Sequence, residues 1–126
     1  MTTLTQSSLL PDEQALIELF VEELEGSLHE ELHAVWLFGS RARGEPPSEE
    51  SDVDLLVLVE DASWDGRMRV RSLLDQAAAK LGLQTLTWSF SVHVHSPLWL
   101  AQRREIKSFF IAELDRDKIT CAGSGV

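Results

Sequence analysis

Gly39-Ser40-Arg41-Ala42-Arg43-Gly44, followed after a short polar loop by Ser51-Asp52-Val53-Asp54-Leu55, is the stretch on which the fold turns. It lies between two short apolar runs, Ala34 to Phe38 and Val53 to Val59, both partly β-branched and bounded by turn residues. Such runs read as buried strands, so the stretch joins two strands. A strand ending in Gly-Ser can turn where no Cβ obstructs it, and its amides can approach an anion closely. The Ser40 hydroxyl can donate to a phosphate oxygen, while Arg41 and Arg43 add positive charge in the planar form that suits phosphate. Asp52 and Asp54 alternate with Val53 and Leu55. Strand side chains repeat every two residues, so both carboxylates share one face. Like charges so close repel unless a cation lies between them. The expectation is a site for a nucleoside triphosphate and its metal. Mg²⁺ is the expected cation, because it takes one or two carboxylates together with phosphate oxygens and water.

Outward from this stretch, the 126 residues are enough for one domain with a modest core. A loosely ordered polar lead is expected over residues 1–10, the domain over 11–122 and a tail over 123–126. Pro11 opens a helix whose positive end suits Asp12 and Glu13, and Leu16, Leu19, Phe20, Leu24 and Leu28 recur at helical spacing. Ser40 to Arg43 predicts a short helix with its N-terminal amides toward the phosphates, ended by Pro46, Pro47 and Ser48. In the following loop, Glu49 and Glu50 would repel a nucleotide unless they turn outward.

Arg67 to Leu81 predicts a second helix stopped by Gly82, with Arg67, Arg69 and Arg71 best accounted for by surface salt bridges. Thr85 to His95 predicts a third strand, with Phe90, Val92 and Val94 pointing one way and Ser91, His93 and His95 the other. Pro97 begins a helical region to about Asp115, in which Trp99, Leu100, Ile106, Phe109, Phe110 and Leu114 pack, and Ile119 to Ala122 is a last short strand. Trp36, Trp64, Trp88 and Trp99 are expected in the core or on a partner surface, Trp64 being the best candidate for a contact. The order of elements predicts an α/β (α+β) domain with a small mixed sheet flanked by helices.

A net charge of -10 and a pI near 4.7 argue against nucleic acid as the main partner and suit docking to a basic protein. Cys121, the single cysteine, excludes an internal disulfide and a Cys-rich zinc site. No stretch is apolar and long enough to span a bilayer, and no basic segment precedes an apolar run at the start, so a cytoplasmic location without membrane contact is expected.

The order apolar-Gly-Ser, loop, Asp-apolar-Asp-apolar, with Trp36-Leu37-Phe38 leading in and Leu55-Leu56-Val57 leading out, resembles the signature of the DNA polymerase β nucleotidyltransferase superfamily. Arg41-Ala42-Arg43-Gly44 narrows the likeness to the minimal nucleotidyltransferases, small stand-alone members usually found as antitoxins beside a toxin of the HEPN class. The resemblance covers most of the chain. It implies a single nucleotidyltransferase domain that binds Mg²⁺ and ATP and moves AMP onto a hydroxyl, a tyrosine being one candidate, of a HEPN-type toxin in trans. It also implies the roles: Asp52 and Asp54 for metal and catalysis, Ser40 and the Gly39 backbone for the triphosphate, Arg41 and Arg43 for its charge.

The chain departs from that pattern twice. Eleven residues separate Ser40 from Asp52, one more than the small antitoxins usually have, at a place where an insertion is cheap. Second, Thr85 to His95 holds no Asp or Glu, and the third carboxylate of the family falls near Ser91. His93 can take a proton or a metal in its place, or it can be one of a His pair on a half-exposed strand face. The alternative to a transferase is a weak or inactive relative that neutralises its partner by binding alone.

Overall fold

The computed structural model describes residues 7–47, 52–106 and 108–123. Two apolar runs, Leu32–Phe38 (β1) and Val53–Val59 (β2), pair antiparallel as the central strands, with Phe38 opposite Asp54. Phe90–His95 (β3) joins β2 in parallel, and Ile119–Gly123 (β4) joins the other side of β1 antiparallel, so the mixed sheet runs β3-β2-β1-β4. Parallel neighbours need a crossover. Trp64–Leu81 (α3) supplies it between β2 and β3. The other helices are Pro11–Leu28 (α1), Gly39–Ala42 (α2), Pro97–Glu105 (α4) and Phe109–Asp117 (α5).

The pleat divides the core into two layers. Val35 and Leu37 of β1 with Val53, Leu55 and Val57 of β2 pack beneath Leu16, Phe20 and Leu24 of α1 and Leu74 and Ala77 of α3. The opposite face, Trp36 and Phe38 with Leu56 and Leu58, is covered more thinly by Leu100 of α4 and Ile111 and Leu114 of α5. Asp54 belongs to this second face, and there the cover thins, because Asp54 is half-buried while Leu56 is buried. The fold thus leaves Asp54, at the start of β2, and His93 beside it on β3 open to solvent on this face.

Local chemistry sets the helix ends. Glu13 Oε1 accepts from the Leu10 amide at 2.8 Å, satisfying a donor at the start of α1. Ser63 caps α3 by accepting from the Gly66 amide, so this helix begins three residues before the predicted Arg67. At its other end Gly82 takes φ 71, the left-handed turn that stops a helix. Ser96 caps α4 in the same way, ahead of Pro97.

Other expectations are corrected. The third strand begins at Phe90, because Gln84–Ser89 forms a 3-10 helix in which the Thr87 hydroxyl donates to the Gln84 carbonyl at 2.9 Å. A hydroxyl that bonds back three residues offers the backbone an alternative to a sheet ladder. The C-terminal helical region is two helices, and α5 runs to Asp117. Leu100 and Leu114 pack as expected, whereas Ile106 and Phe109 are exposed and Phe110 is partly so. Trp36 is buried and Trp99 half-buried, while Trp64 and Trp88 stand in solvent. Arg69 pairs with Glu31 and Arg71 with Asp75, surface pairs of the kind expected. Glu49 and Glu50 lie outside the described residues. Burial pushes the Cys121 thiol up to about 11, which leaves it unreactive near neutral pH. Among the described residues no helix is long and apolar enough to cross a membrane.

Candidate nucleotide and metal site

The end of β1 and the start of β2 meet at one point. Phe38 is extended, and Gly39 then takes φ 80 to turn into α2. A Cβ on Gly39 would stand 2.5 Å from Asp54 Oδ2, so a side chain there would be both strained and blocked. Glycine is what lets the turn lie against the carboxylate. The turn is closed by the Glu45 amide donating to the Ser40 carbonyl at 3.0 Å and the Gly44 amide to that of Arg41 at 3.2 Å. Ser40, half-buried, sits within it.

Asp52 is exposed at the threshold of β2, and Asp54 is one pleat further in. Burial pushes the Asp54 carboxyl above its ordinary range; the charge of His93 opposes the shift, Asp52 adds to it, and Arg43 opposes it. In the parallel register Asp54 stands opposite Ser91 and Leu56 opposite His93, so Ser91 and His93 share the face of Asp54. Ser91 Oγ and His93 Nε2 are 3.3 Å apart, and the His93 ring lies 5.6 Å from that of Phe38. His95 is of a different kind. It stacks on Trp99 at 3.7 Å and is pushed down to about 4 by burial and by the charges of Arg67, His93 and Arg103, so it is neutral at pH 7.

A carboxyl held above its ordinary range costs stability once it ionises. The native state then holds its proton to a higher pH than the unfolded chain, and stability falls as the pH rises through that interval. Asp54→Asn is therefore expected to raise the Tm of the metal-free protein at pH 7. The gain should shrink as the pH is lowered below the ordinary Asp range, where both forms are neutral. Thermal melts of the two proteins across pH check this; a lower Tm for the variant at pH 7 would contradict it.

The two arginines of the motif part company. They are two residues apart on a helical turn, and such positions face different directions. Arg43 stays on the site side, its charge felt at Asp54, its guanidinium 2.7 Å from Glu45 and 3.5 Å from Asp117. Arg41 turns inward and is 2% exposed. It forms a buried ion pair with Glu13 and donates through Nε to Ser8 Oγ at 3.1 Å and through Nη2 to the Ser8 carbonyl at 2.9 Å. The expectation that Arg41 neutralises phosphate is corrected: it ties the turn to α1.

Neighbours of the turn that no local pattern announced come from α5. Phe110 meets Phe38 edge-on at 5.7 Å, and Asp117 reaches Arg43, so α5 walls the site beside Gly39. Among the described residues no group of three His, Cys, Asp or Glu side chains converges to hold a metal. Two carboxylates on one face, one of them held above its ordinary range, fit a hard cation that draws its remaining ligands from substrate phosphates and water. They do not fit a metal caged by protein ligands alone.

The chain matches the family described as Polymerase beta, Nucleotidyltransferase over residues 22–94, more than half of its length. A comparison with curated proteins gives no match. Among solved structures it is similar to a toxin–antitoxin crystal structure with AMP-PNP, at 18% identity over 85% of this chain and 73% of the other, with a TM-score of 0.51. A toxin–antitoxin structure of an MntA–HpeT point mutant aligns at 17% identity over 92% of this chain and 75% of the other, with a TM-score of 0.49.

Proposed function

Because this chain belongs to the polymerase β nucleotidyltransferase family, we propose that it is a Mg²⁺-dependent adenylyltransferase of antitoxin type, which moves AMP from ATP onto a hydroxyl of a HEPN-type toxin and so silences it. The acceptor side chain is a tyrosine on this reading. The observation that carries the proposal is the close approach of the Gly39 turn to Asp54, where an added Cβ would stand 2.5 Å from Asp54 Oδ2; on this reading the turn receives phosphates and the carboxylate holds the metal. Toxin–antitoxin pairing is supported by the fold shared with a complex that holds AMP-PNP.

Each residue then has a task. The Gly39 backbone and the Ser40 hydroxyl receive the triphosphate, and Arg43 adds positive charge at its edge. Asp52 and Asp54 would hold a Mg²⁺, which when bound would offset the charge that builds on the phosphate oxygens. The acceptor oxygen bonds to the α-phosphorus as the bond to the bridging oxygen of the β-phosphate breaks, and pyrophosphate leaves. The proton of the acceptor hydroxyl goes to His93, whose Nε2 lies 3.3 Å from the hydroxyl of Ser91 opposite Asp54, or to water.

A second reading, neutralisation by binding alone, is favoured by one observation: the position opposite Asp54 is Ser91 and carries no charge. Ser91→Asp separates the two. If the missing carboxylate limits proton removal, pyrophosphate release with Mg²⁺, ATP and the partner toxin should rise by roughly 10²-fold in that variant, within the usual range of general-base effects. Unchanged release would mean that the site already has its base, and His93→Ala should then abolish most of it. Absence of release from every variant would leave binding alone.

A further inference from the structure

Beyond the site, one cleft combines exposed apolar side chains with cationic ones. Trp64, Arg67, Met68 and Arg71 recur along α3 at the spacing of one helical stripe, and this stripe faces β3 across a cleft of about 380 Å³. Val92 and Val94 line it from the strand, with His93 and His95 beside them. β3 is an edge strand of the described sheet, and a sheet edge offers backbone donors and acceptors to an added strand. Trp64 is 72% and Met68 41% exposed, although the other side of the same helix is core. The charged side chains that line the cleft are Arg67 and Arg71, Arg71 also lying 3.8 Å from Asp75 outside the lining; among the described residues no carboxylate lines the cleft itself, in a chain of net charge -10.

Dimensions agree with one kind of occupant. From Trp64 to Arg71 the helix rises roughly 10 Å, and from Val92 to His95 the strand advances about 10 Å. Both walls therefore address the same short extended segment. Every second side chain of such a segment would face the stripe, where apolar and cationic positions alternate. An acidic segment is drawn here by Arg67 and Arg71 and disfavoured elsewhere by the net negative charge of the chain.

We propose that this cleft docks an acidic, extended segment of the partner protein, added to β3 as a further strand, with a carboxylate between Arg67 and Arg71 and an apolar side chain against Trp64 and Met68. The proposal rests on the reading above that the chain acts on another polypeptide. The segment runs along β3 next to His93, which brings the partner to the edge of the Asp52/Asp54 site.

The test uses the full chain and a fluorescein-labelled peptide in which Glu and Leu alternate at every second position with Thr between them. A Lys-for-Glu peptide and one interrupted by a central Pro are the controls. The expected result is saturable binding of the Glu peptide only, slowed amide exchange along β3, and affinity at least tenfold lower for Arg67→Glu/Arg71→Glu and for Trp64→Ser. The proposal is overturned if the Glu peptide does not bind, if the Lys peptide binds equally, or if the exposed variants bind as the wild type does. It is also overturned if sedimentation shows the cleft closed by a second copy of the chain. Asp52→Asn/Asp54→Asn should bind the peptide normally, so a failure of docking and a failure of transfer are separate results.

Discussion

Replacing Asp52 and Asp54 together by Asn is expected to lower nucleotide transfer by about 10³-fold or more, to the limit of detection, while the fold and the complex with the partner persist. The size of the effect follows from where the charge sits. Asp54 is half-buried against the Gly39 turn and held above its ordinary range, so its ionised form is stabilised chiefly when a cation shares the site. An amide keeps the shape and removes the charge. Loss of metal binding, seen as loss of the Tm increase that Mg²⁺ with nucleotide gives the wild type, should accompany the loss of transfer. A double variant that still transfers nucleotide at the wild-type rate would end the assignment of these residues.

The second large effect is on stability. Glu13 is buried and held against Arg41, and it also accepts from the Leu10 amide. Glu13→Ala leaves a buried guanidinium without its carboxylate, which costs about 3–5 kcal/mol. Against a total of roughly 5–15 kcal/mol this is a large fraction, and Tm should fall by the order of 10–20 °C. Adding Arg41→Met to Glu13→Ala should recover much of the loss, because replacing both members of a buried ion pair costs less than removing one. Urea melts of the single and double variants check this, and additive losses would contradict the account. Since Arg41 follows Gly39 and Ser40, Glu13→Ala should also raise the KM for nucleotide through a loosened turn.

What was legible in the sequence is what local chemistry decides. The β-branched runs around Val35 and Val57, the prolines opening α1 and α4, and Gly82 each carry their own physical reason, and the strands and helix ends lie at or near them. The shared face of Ser91 and His93 was legible too. Strand period puts Ser91 and His93 on one face, and the register puts Ser91 opposite Asp54. The direction of Arg41 was hidden because its partner, Glu13, is twenty-eight positions away and reads locally as an ordinary acidic residue at a helix start. The segment Gln84–Ser89 misled because its Leu86 and Trp88 resemble a strand pattern, while the Thr87 hydroxyl and the exposure of Trp88 belong to a tight turn. The docking of α5 beside Gly39 depends on Phe38 meeting Phe110, a contact no local window contains.

The central claim is that the Gly39 turn and the Asp52/Asp54 pair serve covalent transfer rather than mere binding. Intact mass spectrometry of both chains after incubation of the protein with Mg²⁺, each NTP in turn and the partner toxin tests it most directly. The account predicts a gain of one or more AMP units on the toxin, with ATP and not without Mg²⁺, and no gain with Asp52→Asn/Asp54→Asn. An unmodified toxin that is nonetheless held and neutralised by both proteins alike would contradict it.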